Sequence, residues 1–286
     1  MMNILTDEIR DKVFSILTET LGNATGIYTT VADMNAYGED EFYSTLTIED
    51  GKPVGYGDII EETDDLYIAH GASRITFIPR KANFVIKMPI TAVWDWKVNM
   101  RRPADSASSE DEMEETSEWY SDFNEDYYTN DLGYEVISKE FCCYCERTDF
   151  DLMDSENALR EEIKDINEEV AEIFLPNEYV GDYNGIPVWI QRRIQSTQCN
   201  TSSLLTPERR TAISQTFHNA NLSADFIYSI MCEYGDDVAQ EVVEIINELG
   251  INDLHDGNLG YLSTGEAVCF DYAGYDEENI WNFITV

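Results

Sequence analysis

The 286-residue sequence predicts an α+β fold. Three observations carry that expectation. Short β-branched and aromatic runs bounded by turn residues fill 66–89 and 178–191, the signature of strands. Apolar residues at helical spacing fill 155–174 and 206–249. With 43% hydrophobic and 12% aromatic residues, the chain can bury one large core or two lobes, since domains usually run to about 100 to 200 residues.

The charge balance narrows the partners. Against 57 acidic residues stand 18 basic ones, a formal net charge of −39. Such a surface repels nucleic-acid backbones and anionic membranes. Direct nucleic-acid and membrane binding are therefore not expected, and a basic protein is the favoured macromolecular partner. No stretch approaches the roughly 18 to 20 apolar residues of a membrane helix. The start, Thr6-Asp7-Glu8-Ile9-Arg10, lacks the basic and then apolar pattern of a signal peptide, so a cytoplasmic location is expected. Of the six cysteines, three lie in Cys142-Cys143-Tyr144-Cys145, unlike a secreted disulfide framework. Cys142 and Cys145 have the spacing of a metal knuckle, but zinc takes four ligands and no second pair follows. Reduced thiols in a structured turn are the expectation.

In chain order, Ile9, Val13, Phe14, Ile16, Leu17 and Leu21 predict an amphipathic helix over 4–21, stopped at Gly22-Asn23. A β-prone piece at 42–48 ends in the turn Glu49-Asp50-Gly51-Lys52-Pro53 and carries no evident chemistry. Two strands flank a small-residue turn within 66–79, and a third, 84–89, carries a single lysine, Lys87. Another strand is read at 93–98. The segment 103–131 then turns acidic, with the run Glu110-Asp111-Glu112-Met113-Glu114-Glu115, and reads as a solvated, partly folded insertion. Its interleaved aromatics, Trp119, Tyr120, Phe123, Tyr127 and Tyr128, give a second reading: an anchor for a basic partner, or a mimic of nucleic-acid charge.

A helix is predicted from Ser155 as N-cap to Phe174, with Leu159, Ile163, Ile166, Val170 and Ile173 on one face and Pro176 beyond its end. Residues 178–191 read as a hairpin turning at Asn184-Gly185, and 194–206 as loop. Helices resume at Thr206-Pro207-Glu208 and continue through 224–232 and 236–249, the last capped by Gly250.

Chemistry concentrates near the C-terminal end. Asp253 and Asn258 lie five positions apart in a Gly-containing loop, and Asp271 leaves a short apolar run thirteen positions later. Oxygen ligands in this pattern suit Mg²⁺ carrying a polyphosphate, because Mg²⁺ takes one or two protein oxygens and completes its octahedron with phosphate and water. The remaining carboxylate is then available to orient or deprotonate a hydroxyl.

Asp253-Leu254-His255-Asp256-Gly257-Asn258, followed by Phe270-Asp271-Tyr272-Ala273-Gly274, resembles the catalytic and metal-binding loops of the protein-kinase-like phosphotransferase superfamily, nearest to its aminoglycoside and choline kinase branch. The resemblance implies a two-lobed fold in which Asp253 is the catalytic base and Asn258 and Asp271 are metal ligands. The position two before the base, usually His, is Ile251 here. Upstream, Gly71, Ala72 and Ser73 match the phosphate loop, with one glycine only, and Lys87 matches the phosphate-contacting lysine. Glu162, in preference to Glu169, is its implied orienting partner, and backbone groups from Gln191 to Arg193 would hold the adenine.

On this resemblance, 1–65 is an N-terminal extension, 66–191 an N-lobe with an acidic insertion at about 100–150, and 192–286 a minimal helical C-lobe. Twelve residues follow Gly274, fewer than a protein kinase uses for its activation segment and substrate helices. That resembles the small, truncated members found in phage and bacteria, which would place a phage-encoded protein in the host cytoplasm. The implied function is Mg-ATP-dependent phosphoryl transfer to an unspecified acceptor. The alternative is a catalytically inactive or acidic, nucleic-acid-mimicking protein that inhibits a basic partner.

Overall fold

The computed structural model describes residues 4–31, 43–49, 52–69, 74–90, 92–95, 100–103, 127–129, 134–137, 143–144, 152–195, 205–217, 222–251, 254, 258–272 and 284–285. The architecture is mixed α and β. Its strands are β1 Gly26–Val31, β2 Tyr43–Glu49, β3 Lys52–Ile59, β4 Leu66–Ala69, β5 Arg74–Pro79, β6 Phe84–Pro89, β7 Ala92–Asp95 and β8 Met100–Pro103. They continue as β9 Tyr127–Thr129, β10 Tyr134–Ile137, β11 Cys143–Tyr144, β12 Glu178–Tyr183, β13 Ile186–Arg192, β14 Leu259–Tyr261, β15 Ala267–Cys269 and β16 Ile284–Thr285. The described helices are α1 Asp7–Leu21, α2 Leu152–Ile166, α3 Glu168–Ala171, α4 Pro207–Phe217, α5 Ala224–Tyr234 and α6 Asp236–Glu248.

Helix α1 starts at Asp7, three residues after the expected start at 4, because Thr6 caps it. Thr6 Oγ1 accepts the N–H of Ile9 at 3.2 Å, Asp7 and Glu8 favour the positive end of the dipole, and Gly22 leaves the helix at φ +56°. The Glu178 carboxylate of β12 accepts the N–H groups of Ile4 at 2.7 Å and Leu5 at 2.9 Å, tying the start of the chain to the sheet. Val13, Leu17 and Leu21 then enter one core with Ile68, Phe77, Ile86, Met88, Val188 and Ile190. The segment read as an extension therefore contributes its apolar stripe to the sheet's core.

That sheet is five-stranded and wholly antiparallel, in the order β12-β13-β6-β5-β4. The β12–β13 turn is made by Asn184 at φ +50° and Gly185 at φ +84°, the left-handed pair that the Asn-Gly dipeptide supplies with least strain. Alternation decides which side each residue serves. Phe84, Ile86 and Met88 of β6 join the core shared with α1, so Val85 and Lys87 face the opposite side. In register, Lys87 lies between Thr76 of β5 and Trp189 of β13. The same parity puts Arg74, Trp189 and Gln191 on the Lys87 face.

A second sheet joins distant parts of the chain in the order β16-β11-β7-β1-β2-β3, with β1 and β7 parallel. Strand periodicity carries no signal for such pairing, and the sequence reading did not anticipate it. Strands β8, β10 and β9 form a third sheet. The expectations for the acidic stretch 104–126, and for Cys142 and Cys145, fall outside the described residues.

The helical core collects Ile163, Val170, Phe174, Phe226, Ile230, Val242, Ile246, Leu254 and Tyr272. The single helix expected over 155–174 is two. Asn167 takes an extended backbone, φ −151°, and its Oδ1 accepts the N–H groups of Glu169 and Val170, starting α3. That break lifts Ile166 off the apolar stripe and leaves it half exposed. Helix α5 opens as read, with Ser223 Oγ accepting the N–H of Phe226, and Gly250 follows α6 at φ +66°.

Leu17 is fully buried between α1 and the sheet. Leu17→Ala should lower stability by about 3 kcal/mol through lost transfer energy and a cavity. The measurement is the urea midpoint, and an unchanged midpoint would mean that α1 is not part of the core.

Candidate functional site

The site assembles where the open face of the five-stranded sheet meets the helical half. Lys87 is 2% exposed. A buried ammonium is costly without an anion, and the chain supplies one from 184 positions away: Lys87 Nζ donates to Asp271 Oδ1 at 2.5 Å. The same oxygen lies 3.0 Å from Arg74 Nη2. Arg74, itself buried, also sets Nη2 2.9 Å from Glu156 Oε1, an ion pair without hydrogen-bond geometry. Two cations and two carboxylates thus meet in one cluster. Asp271, with 28% of its side chain exposed, is its solvent-facing member.

Each participant is held by its element. Glu156 is fully buried on α2, and its Oε2 accepts Asn177 Nδ2 at 2.5 Å. Asp271 follows the β14–β15 hairpin at φ +52°, a left-handed conformation that costs a non-glycine residue energy. Asn258, just before that hairpin, stabilises the bend: its Nδ2 donates to the Asp271 carbonyl at 2.8 Å, while Phe270 N–H donates to the Asn258 carbonyl at 3.0 Å. Tyr272 turns inward. Its ring stands edge-on to Phe174 at 5.1 Å, and its hydroxyl lies 3.0 Å from the Glu156 carbonyl and 3.2 Å from that of Leu175. Burial, and then the Glu156 charge, pushes the Tyr272 phenol well above its ordinary range. It is an anchor and not an acid at neutral pH.

Of the residues singled out from sequence, Lys87, Asn258 and Asp271 come together. Gln191 lies on the same sheet face, buried, with Nε2 donating to the Leu175 carbonyl at 3.2 Å. The N–H of Arg193 donates to Asn83, so that group of the expected adenine-binding strip is used within the fold. Gly71, Ala72, Ser73 and Asp253 fall outside the described residues. Glu162 needs correction: it is exposed on α2, and the carboxylate that this helix buries is Glu156. Helix geometry is the reason, because Glu156 lies seven residues, two full turns, before the core residue Ile163, while Glu162 sits about 100° around from it.

Sequence reasoning missed Arg74 and Glu156. A legible signal existed for both: Arg74 opens a strand whose other residues are mostly apolar, and Glu156 stands three residues before Leu159 on the helix's apolar stripe. Among the described residues, no group of three or more His, Cys, Asp and Glu side chains is arranged to hold a metal ion unaided. A cavity of about 470 Å³ beside α1, lined by Lys12, Ile16, Ile59, Leu66 and Lys81 among others, shares no residue with this cluster. No helix among the described residues is long and apolar enough to cross a membrane. No family model, curated protein or solved structure matches the chain.

Two measurements test this site. Asp271→Ala should lower stability by about 3 kcal/mol, because it strands a buried charge, and adding Lys87→Met should recover part of that loss. Urea midpoints of the single and double variants check this; simple additivity would mean the pair does not interact. Cys269 is fully buried, and burial drives its thiol far above the ordinary range, whereas Cys232 is exposed. Iodoacetamide at mildly alkaline pH should therefore alkylate Cys232 and spare Cys269 until the protein unfolds, as read by peptide mass.

Proposed function

We propose that the protein is a kinase-like phosphotransferase that binds Mg-ATP between the five-stranded sheet and the helical half and passes a phosphoryl group to an acceptor hydroxyl. The observation that carries the reading is the 2.5 Å contact between Lys87 and Asp271. A strand lysine and a post-hairpin aspartate, each matched to the superfamily from sequence, meet in one buried cluster. The consecutive hairpins β4–β5–β6 with Lys87 on the third strand support it. So does α2, which turns a carboxylate toward that face, and so does Asn258 standing at the start of the hairpin that Asp271 leaves.

In this reading Lys87 takes the α- and β-phosphates. Asn258 and Asp271 fit a hard cation: one offers a carboxylate, and the other has its amide nitrogen committed to the Asp271 carbonyl, which makes Oδ1 the ligand atom. Bound Mg²⁺ supplies charge neutralisation on the transferring phosphoryl group. Asp253 is assigned as base, Gly71, Ala72 and Ser73 as the phosphate loop, and Gln191 to Arg193, apart from the Arg193 N–H that bonds Asn83, as the strip beside the adenine. Catalysis of this kind rests on positioning and charge, so a small site suffices.

The net charge of −39 favours a second reading, in which the acidic stretch engages a basic protein, with or without catalysis.

The test is unfolding stability with and without Mg-ATP. At a hundred times its dissociation constant the nucleotide should add about 2.7 kcal/mol. Asp271→Asn, checked first to be folded, should remove the Mg²⁺-dependent part. Absence of any Mg-ATP stabilisation of the wild-type protein removes the phosphotransferase reading and leaves the partner-binding one.

A further inference from the structure

We propose that Arg74 is a second phosphate-binding cation of this site, so that Arg74 and Lys87 together recognise the polyphosphate of a nucleotide. The inference rests on the nucleotide reading above and assigns a residue that neither the sequence motifs nor the resemblance singled out. Three observations carry it.

Arg74 and Lys87 are on one face of adjacent strands and share a single oxygen, Asp271 Oδ1, at 3.0 and 2.5 Å. Cations that converge on one carboxylate oxygen can equally converge on one phosphate, or on oxygens of neighbouring phosphates. Both are buried, and Asp271 is the exposed member above them. A carboxylate in that position stands in for the anion while no nucleotide is bound. A cation carrying a polyphosphate would draw Asp271 to itself and leave both cation heads facing the phosphates.

The guanidinium is also oriented for such an exchange. Glu156, fully buried, holds it by charge from the α2 side through the 2.9 Å ion pair, and Arg74 Nη1 donates to Met153 Sδ at 3.7 Å, a weak acceptor that sets the direction of the guanidinium. A planar, pre-oriented fork gives a phosphate two charge-assisted bonds at little entropic cost. Arg74 is moreover the first residue after 71–73, the stretch matched to the phosphate loop.

The experiment compares Mg-ATP, Mg-ADP and adenosine binding to the full chain by calorimetry. Replacing Arg74 alone would strand the Glu156 charge, so the variant is Arg74→Gln with Glu156→Gln, which exchanges the buried ion pair for two neutral amides that can still hydrogen-bond. Wild type should prefer Mg-ATP over adenosine. The double variant should lose roughly tenfold to a hundredfold in Mg-ATP affinity with adenosine affinity kept, the range expected for hydrogen bonds to a charged group. Arg74→Lys, which retains the charge and the partner for Glu156, should recover part of the preference and remains informative if the double variant does not fold. An unchanged Mg-ATP preference, or equal weakening toward adenosine and Mg-ATP, overturns the proposal and leaves Arg74 a structural counterion. Wild type that binds none of the three overturns the nucleotide reading itself.

Discussion

A buried lysine obliges a fold to bring it an anion. Lys87 sits on the central strand of a sheet whose other face is filled with apolar side chains, so its ammonium can only point toward the helical half. The compensating charge comes from Asp271, near the far end of the chain. To deliver it, the chain forms the β14–β15 hairpin and bends at Asp271 into a left-handed conformation. Asn258 and Tyr272 make that bend tolerable, one by binding the Asp271 carbonyl and the other by anchoring the next residue beneath α2. The parallel bridge between Phe174 and Cys269 holds the hairpin against the segment after α3. The Lys87–Asp271 pair, with Arg74–Glu156 and Gln191–Leu175 beside it, thereby links the sheet to the helical half.

How much of this was legible depended on the range of the interaction. Local chemistry was readable: Asn184-Gly185 makes its hairpin turn, Pro207 opens a helix, and Gly250 ends one, since each residue acts within its own few neighbours. Asn258 and Asp271 stood out as oxygen-bearing residues at a spacing, and Lys87 through the resemblance alone. Leu159 and Ile163 marked the side of α2 that faces inward, but an acid-rich helix offers many carboxylates, and the one on that side was passed over. Choosing between Glu162 and Glu169 passed over Glu156, an error of helical phase. The split at Asn167 was a side-chain hydrogen bond outcompeting a continuous periodic pattern. The β1–β7 pairing needed long-range information that no local pattern holds.

Charge is distributed against composition. The chain has 18 basic residues to 57 acidic ones, yet among the described residues Arg74, Lys87 and Arg160 are buried, all close to the junction of sheet and helices. Arg160 is occupied there as a fastener, its Nε donating to the Phe174 carbonyl at 2.9 Å. Arg74 and Lys87 meet an aspartate that faces solvent. In the proposed reading, an acidic exterior around a small cationic interior would discriminate among anions. At long range the field opposes any polyanion, screened over about 8 to 10 Å at ordinary salt. At contact, two desolvated cations attract strongly, because the local dielectric is low.

In the proposed reading this arrangement explains the pairing of ligand with metal. Free ATP would meet the full repulsion of the surface, whereas Mg-ATP carries less negative charge and brings a cation for Asp271 and Asn258. Phosphate binding and metal binding then become mutually dependent. Asp271 can leave Lys87 and Arg74 only if a divalent ion replaces them, and the two buried cations can accept its departure only if phosphate oxygens arrive together with that ion.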